Sequence, residues 1–189
     1  MTPVVPPEPP EPPEPPLVDG PLRASVRLAT VADSSTVGGM LRDFNDEFET
    51  SGPTAAEFTT RFRSLLMRDD VLVLLAEADL HDGPVGPDGP DAHPIPVGLA
   101  LLTLRPTPYH DGPLAQLEEL YVRPTLRDRG IGTLILVDAL RRVSERGAGE
   151  MHINVDEIDV DTRRFYERHG FANIEPGTDY RMLCYVREL

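Results

Sequence analysis

Residues 117–124 read Leu-Glu-Glu-Leu-Tyr-Val-Arg-Pro, and residues 127–133 read Arg-Asp-Arg-Gly-Ile-Gly-Thr. The first stretch ends a strand predicted over 114–122, and the second leads through a glycine turn into an amphipathic helix predicted over 131–146. The two glycines leave no side chain over the backbone N–H groups where this helix begins. Those donors and the positive helix end suit a pyrophosphate. A plain loop that enters a helix remains the other interpretation.

The other predicted elements alternate in a way that indicates a mixed sheet. Asp33 is the predicted N-cap of a first helix, and a second helix follows Pro53. In chain order we predict a strand at 23–28, these two helices, strands at 71–75, 97–104 and 114–122, the helix at 131–146, a strand at 151–155, a helix at 159–169 and a final strand at 180–186. Residues 82–96, dense in Gly, Pro and Asp, are predicted to form a long loop. This order predicts a mixed β-sheet with helices on both faces.

Composition and charge exclude several classes of protein. The chain has 189 residues, 18 of them basic and 32 acidic, and its formal charge is −14. No stretch approaches the ~18 to 20 apolar residues of a membrane span, so no membrane partner is expected. Scattered arginines in an acidic chain also argue against a nucleic-acid partner. The single cysteine, Cys184, excludes an internal disulfide and is expected to fill the core, and the lack of a signal-peptide pattern indicates a cytoplasmic location.

The N-terminal segment differs from the rest of the chain. Residues 1–20 contain a repeated Pro-Pro-Glu triplet, and proline cannot donate backbone hydrogen bonds to a core. We therefore predict a disordered Pro/Glu-rich tail at 1–20 and one folded domain at 21–189. Docking of the tail on a partner groove stays open.

Two motifs carry a resemblance to a known family. The segment around residues 127–132 resembles the acyl-CoA-binding signature of the GNAT N-acetyltransferase superfamily, Q/R-x-x-G-x-G/A directly after a strand. Residues 159–171 resemble the family's N-x-x-A-x-x-x-Y-x-x-x-G-F helix, in which Tyr166 matches, whereas Asp159 replaces Asn and Thr162 replaces Ala. The resemblance implies an α/β fold, a GNAT-type mixed β-sheet flanked by helices in a single domain. It also implies transfer of an acetyl group from acetyl-CoA to a primary amine, without a metal.

The resemblance also implies a set of site residues. Backbone groups of the catalytic strand would contact the pantetheine, and the glycine turn would contact the phosphates. An acid at 159 is less suited than Asn to a place near phosphates. The implied cofactor-binding residues are Leu120, Tyr121, Val122, Arg127, Asp128, Arg129, Gly130, Ile131, Gly132, Thr133 and Asp159.

Acyl transfer to an amine needs a neutral nucleophile, a donor for the oxyanion and an acid for the departing thiolate. Neighbouring strand residues point to opposite faces, so one of Glu118 and Glu119 should face the cleft. By resemblance to polyamine-type acetyltransferases, Glu118 is the expected base and Glu119 the residue that orients the amine, although a bulge can exchange the faces. Tyr166 is the expected general acid. Two glutamates on a half-solvated strand and a buried structural tyrosine are the alternatives.

The expected acceptor is a small-molecule amine, because acidic side chains cluster on the first two helices and can steer a cation. These are Asp43, Asp46, Glu47, Glu49 and Glu57. An ordinary solvated helix face explains them equally well. Acetylation of protein or peptide amines and a non-catalytic acyl-CoA-binding protein are the competing functions, and a homodimer is one of the oligomeric states left open. The five histidines show no metal-ligand spacing.

Overall fold

The computed structural model describes residues 23–79, 94–174 and 177–187. Short 3-10 turns at Val31–Asp33 and Pro124–Leu126 lead toward the first and third helices. The elements, in chain order, are β1 (Arg23–Leu28), α1 (Ser34–Glu47), α2 (Ala55–Leu65), β2 (Val71–Asp79), β3 (Ile95–Arg105), β4 (Leu114–Val122), α3 (Ile131–Glu145), β5 (Glu150–Ile153) and α4 (Val160–Arg168). None of the helices in these ranges is long and apolar enough to cross a membrane.

The five strands form one sheet in the order β1-β2-β3-β4-β5. Neighbouring strands are antiparallel from β1 to β4, whereas β4 and β5 run parallel. The chain reaches β5 through α3, as a parallel connection requires a crossover. The predicted mixed sheet is therefore confirmed.

Helices cover both faces of the sheet, as predicted. On one face, α1 and α2 bury Val37, Met40 and Phe62 against β2, β3 and β4. On the other face, α3 buries Ile135 and Leu136 against the same strands, and α4 adds Tyr166. The central strands β2 and β3 are apolar on both sides because each side meets a helix layer.

The N-cap of α1 differs in detail from the expectation. Asp33 occupies the N-cap position, but its carboxylate accepts hydrogen bonds from Thr30 and from the Arg27 guanidinium instead of from the helix. Arg27 also binds Glu77 of β2. The hydrogen bonds from Arg27 hold the pKa of Asp33 well below its usual range. Ion pairs of Arg27 with Asp33 and Glu77 thus connect the start of α1 to strands β1 and β2.

Two expectations near the C-terminus are wrong. The predicted final strand at 180–186 is not formed, and its strand pairing is limited to an isolated β-bridge between Arg181 and Ile174. Leu183 and Tyr185 are exposed, and Cys184, expected in the core, is exposed as well. Strand preference expresses packing against neighbouring strands, and an apolar run without such a neighbour gains nothing from it.

Two other expectations concern residues at the limits of the described ranges. The tail at 1–20 lies outside them, as does most of the loop at 82–96. Residues 95 and 96 of that loop belong to β3, where they pair with β2.

Candidate active site

The parallel strands β4 and β5 separate halfway along β4. Pairing joins Leu114–Leu117 to Glu150–Ile153 and stops there, because the chain after Ile153 turns away toward α4. From residue 118 to Val122, β4 pairs only with β3 in the part of the chain that the structure describes. A strand edge of this kind presents backbone N–H and C=O groups that an extended ligand can bind.

A β-bulge lies where the strands separate. Leu101 of β3 pairs with Glu119 and Leu102 pairs with Leu117, so Glu118 is the additional residue. The Thr103 hydroxyl donates to the Glu118 carboxylate at 2.5 Å. Thr103 stands two residues from Leu101, which packs toward α1 and α2 and pairs with Glu119. Both glutamates therefore lie on the α1–α2 face, whereas simple alternation predicts opposite faces.

The two carboxylates differ in their surroundings. Glu118 is exposed, and Glu119 is half-buried. Burial, and to a smaller extent the negative charge of Glu118, raise the pKa of Glu119. A carboxylate with a raised pKa is a better proton acceptor than an ordinary one.

Tyr166 of α4 is buried and lies within electrostatic range of Glu119. Its ring contacts Phe165 and Phe171, with centroid distances of 5.1 and 5.5 Å. Burial raises the pKa of Tyr166, and the charges of Asp159 and Glu119 raise it further. The phenol therefore keeps its proton at neutral pH and is available as a donor.

The glycine turn leaves open space in front of α3. Gly130 is the N-cap of α3 with φ +81°, and a Cβ placed on it would meet no atom within 4 Å. The N–H of Leu134 donates to the Gly130 carbonyl at 3.0 Å. The amides of residues 131–133 therefore have no partner within the helix and point toward this space. An N-terminus of this kind suits an anion.

Two arginines that follow β4 are tied to α1. The Arg127 guanidinium donates to both carboxylate oxygens of Glu47, at 2.6 and 2.8 Å, and its Nε donates to the Val122 carbonyl at 3.1 Å. Arg123 forms an ion pair with Asp43 at 3.3 Å. Asp43 and Glu47 are four residues apart in α1 and share one helix face.

Several residues that are predicted to contact the cofactor have only their backbone groups to do so, because their side chains are packed in the core. Tyr121 is buried in the α1–α2 core, with its ring 5.6 Å from Phe44. Leu120 and Val122 pack against the α3–α4 core, and Ile131 is buried in it. In contrast, Asp128 with φ +60° is exposed, Arg129 is half-buried, and Gly132 lies beside the Phe165 ring.

Asp159 caps α4. Its side chain accepts a hydrogen bond from the backbone N–H of Thr162 at 3.1 Å. Aspartate is among the best N-cap residues, so this position suits an acid on structural grounds alone. A cofactor contact by Asp159 stays a prediction.

Four of the five acidic residues on the first helices have partners. Beside the two ion pairs to Arg123 and Arg127, Asp46 pairs with Arg42 within α1. Glu57 caps α2 by accepting from the Thr54 backbone at 2.8 Å. Three of the five charges of the expected acidic rim, all on α1, are therefore paired with arginines within the protein.

Two sets of contacts near the glycine turn could not be predicted from the sequence. His169 contacts the Phe165 carbonyl through Nδ1 at 2.7 Å and the Thr133 hydroxyl through Nε2 at 3.1 Å. The spacing from Phe165 to His169 is one helical turn, but nothing in the sequence indicates Thr133. The pairing of α1 with Arg127 likewise depends on tertiary structure, and only the four-residue spacing of its acids hints at it.

The comparisons with known proteins agree with this geometry. A profile of the acetyltransferase (GNAT) family matches residues 39–171. The chain belongs to the GNAT acetyltransferase family. A solved protein of Arthrobacter sp. FB24, assigned to the acetyltransferases, is 43% identical, with a TM-score of 0.74, and the match covers 87% of this chain and 96% of that one. Comparison with curated proteins gave no significant match.

Two more distant structures share the GNAT fold. An aminoglycoside N-acetyltransferase in complex with CoA is 20% identical over 89% of this chain and 100% of its own, with a TM-score of 0.64. A ribosomal-protein-alanine N-acetyltransferase from Brucella melitensis biovar Abortus 2308 is 17% identical over 88% of this chain and 100% of its own, with a TM-score of 0.62. At these identities the likeness concerns the fold. The GNAT chain is an acetyltransferase, and its acceptor is a separate question.

Proposed function

We propose that this GNAT enzyme transfers the acetyl group of acetyl-CoA to the primary amine of a small cationic molecule. The observation that carries the proposal is the pair formed by Glu119 and Tyr166. Both groups have raised pKa values, each is buried at least in part, and the charge of Glu119 acts on Tyr166. Titratable groups with raised pKa values beside an open strand edge are typical of an acid–base site.

Glu119 is proposed as the base. Its raised pKa and half-buried position support it over Glu118, which is exposed and hydrogen-bonded to Thr103. The exposed Glu118 carboxylate is suited to orient the charged amine. The roles expected for the two residues from sequence are thereby exchanged.

The proposed reaction forms one C–N bond and breaks one C–S bond. The neutral amine attacks the thioester carbonyl, and its proton passes to Glu119 directly or through water. The thiolate of CoA leaves and takes the proton of the Tyr166 hydroxyl. A backbone N–H on the free edge of β4 is positioned to stabilise the developing oxyanion.

The structure offers a fitting place for acetyl-CoA. The open space at Gly130 and the free amides of the first turn of α3 suit the diphosphate. The edge of β4 that faces away from β3, from residue 118 to Val122, suits the amide-rich pantetheine, which can pair with it as an added strand; among the described residues, the Val122 carbonyl is already bound there by Arg127. The complex of a structural neighbour with CoA supports this assignment.

Support for a small amine comes from Glu118 and from the likeness to an aminoglycoside acetyltransferase. Because a ribosomal-protein-alanine acetyltransferase has a similar fold, the experiment that tests the acceptor also includes protein and peptide amines. The acids of α1 are paired with arginines, so Glu118 and Glu119 of β4 are proposed to supply the negative charge that binds a cation.

The deciding experiment measures CoA release from acetyl-CoA with polyamines, aminoglycosides, amino acids and basic peptides, at low and high salt. We expect salt-sensitive turnover with a small polycation. Turnover with peptides alone would overturn the proposed acceptor class, and silence with all amines would overturn the proposed reaction.

Tyr166→Phe tests the proposed acid. We expect kcat to fall about 100-fold or more while the CoA dissociation constant stays unchanged, because only the proton donor is removed. Tyr185→Phe is the matched control, since Tyr185 is 89% exposed. Full turnover of the Tyr166 variant would contradict the assignment.

A further inference from the structure

The register shift at the bulge brings Glu118 to a hydroxyl of β3. Leu101 pairs with Glu119, and a regular ladder continued from this pair would set Leu102 opposite residue 118. Leu102 packs in the α3–α4 core, so a regular strand would direct the carboxylate of residue 118 to that face. The bulge directs it to the α1–α2 face instead. There the Thr103 hydroxyl donates to its Oε1 at 2.5 Å.

This hydrogen bond orders Glu118 without neutralising it. A threonine hydroxyl carries no charge and has one hydrogen to donate, so it engages one carboxylate oxygen and leaves the other free of it. Within the described ranges Glu118 forms no ion pair, whereas Asp43 and Glu47 of α1 are each paired with an arginine. Glu118 is also exposed. It is therefore an oriented negative charge that a cation can reach.

The surroundings of Thr103 change from apolar to polar. Leu99 and Leu101 face the core formed with α1 and α2, and Thr103 is the next residue of β3 on that face. Its cross-strand neighbour is Gln116, and both side chains are half-buried. In the part of the chain that the structure describes, the Gln116 amide makes no hydrogen bond. The apolar cover of the face thus ends beside the two glutamates, and polar groups follow.

The two glutamates suit two different nitrogens of one acceptor. The nitrogen that attacks the thioester must be neutral, and Glu119 is the proposed base that takes its proton. A lasting charge at Glu118 is instead complementary to a group that stays cationic throughout the reaction. The residues are adjacent in the chain and lie on one face. The second positive group of the acceptor would therefore lie near the reacting nitrogen.

We infer that Thr103 is a positioning residue, which holds Glu118 as the binding group for a second cationic centre of the acceptor. The inference rests on the proposed function, since it concerns the acceptor of the same reaction. It narrows the substrate class from small cationic amines to amines with at least two positive charges. Thr103 itself takes part in no bond change.

The test compares two acceptors that differ in one terminal ammonium group. Putrescine and butylamine share a four-carbon chain, and both are measured with the full-length enzyme at low and high salt. The readouts are kcat and KM of each amine, or its inhibition constant against the best acceptor of the wider panel. The variants are Thr103→Val, which removes the hydroxyl, and Thr103→Ser, which keeps it. Thr60→Val is the matched control, because the exposed Thr60 hydroxyl bonds only the Ala56 carbonyl of its own helix among the described residues.

We expect the wild type and the Thr60 variant to prefer putrescine. Thr103→Val should raise KM for putrescine about two- to fivefold at low salt, the range of one exposed charge interaction, and less at high salt. Its kcat at saturating putrescine, its KM for butylamine and its CoA dissociation constant should stay close to those of the wild type. Thr103→Ser should keep the preference for putrescine, because the donor is retained.

A double variant separates positioning from a structural role. Thr103→Val combined with Glu118→Gln should show the same preference as Glu118→Gln alone, because the hydroxyl acts through that carboxylate.

Four outcomes would contradict the inference. A further loss of preference in the double variant, or equal rises of KM for both amines in Thr103→Val, would assign Thr103 a structural role. An unchanged preference in Thr103→Val would overturn the inference while the proposed function stands, and so would a wild type that does not prefer putrescine. Absence of turnover by the wild type with every amine would overturn the proposed function and this inference together.

Discussion

At the scale of single residues, one extra residue in β4 determines the chemistry of the site. The bulge at Glu118 brings two carboxylates onto the same face of the sheet. Their mutual repulsion adds to burial and raises the pKa of Glu119. A regular strand would separate the two charges across the sheet and would leave the inner carboxylate less basic.

This coupling predicts a shift in the pH profile. As the proposed base, Glu119 must be deprotonated to accept a proton, so we expect kcat to fall as the pH drops through its raised pKa. Glu118→Gln removes the smaller of the two causes, and the burial remains. We expect the acid limb of kcat to move toward lower pH, because the repulsion from Glu118 is removed. The measurement is kcat against pH at saturating amine for wild type and variant.

The neighbouring substitution is the control. Glu119→Gln should lower kcat about 100- to 10,000-fold across the whole pH range, because the base itself is lost. The Glu118 variant should keep kcat near its plateau and raise KM for a cationic amine. A large loss of kcat in the Glu118 variant with near-normal kcat in the Glu119 variant would assign the base to Glu118. An acid limb that does not move in Glu118→Gln would show that the charge of Glu118 does not affect Glu119.

At the scale of elements, α1 binds the arginine that precedes the glycine turn, which is the proposed phosphate site. Glu47 holds both terminal nitrogens of Arg127, while its Nε stays bound to the end of β4. A phosphate that binds Arg127 must therefore displace or share a carboxylate. The Nε bond keeps the side chain in place when the carboxylate is removed.

Removal of the Glu47 carboxylate should strengthen binding of the cofactor. We expect Glu47→Gln to strengthen CoA binding about two- to fivefold at low salt, the range of an exposed ion pair, with a smaller gain at high salt. Asp46→Asn is the matched control, since it removes the same charge from α1 but its partner is Arg42. Weaker CoA binding by the Glu47 variant would show instead that the ion pair positions Arg127.

The elements around the site could be predicted because their signals are local. Pro124, Gly130 and the apolar spacing of the following helix determine the strand–turn–helix segment, and the observed bounds of β4 match the prediction. A bulge in this strand could be considered from the sequence, but its position at Glu118 could not be predicted, because it depends on the register with β3. The same holds for the C-terminal segment, whose apolar side chains indicated a strand although only Arg181 has a bridging partner.

At the scale of the whole molecule, the described residues form one sheet with a core on each face. Two helix layers cover one sheet, and β1 already begins at Arg23. The acidic surplus of the sequence is partly answered by ion pairs that connect α1 to the segment after β4. Net charge alone does not tell which carboxylates are free to attract a cation.

Deletion of residues 1–20 is predicted to leave folding and CoA affinity unchanged. The segment is mostly proline and glutamate, and such a sequence has few apolar side chains to bury. The melting temperature and the CoA dissociation constant of the shortened chain should equal those of the full chain. A large fall in melting temperature would contradict the assignment of the tail.

The exposed Cys184 has a practical consequence for work with the purified enzyme. It is the only cysteine of the chain, and it lies on a segment without burial. Ellman-type reagents that follow the CoA thiol will also count one protein thiol per chain, so each progress curve needs an enzyme blank. Air oxidation can join two chains through this sulfur, and a sizing column would then record a covalent pair that says nothing about a native dimer.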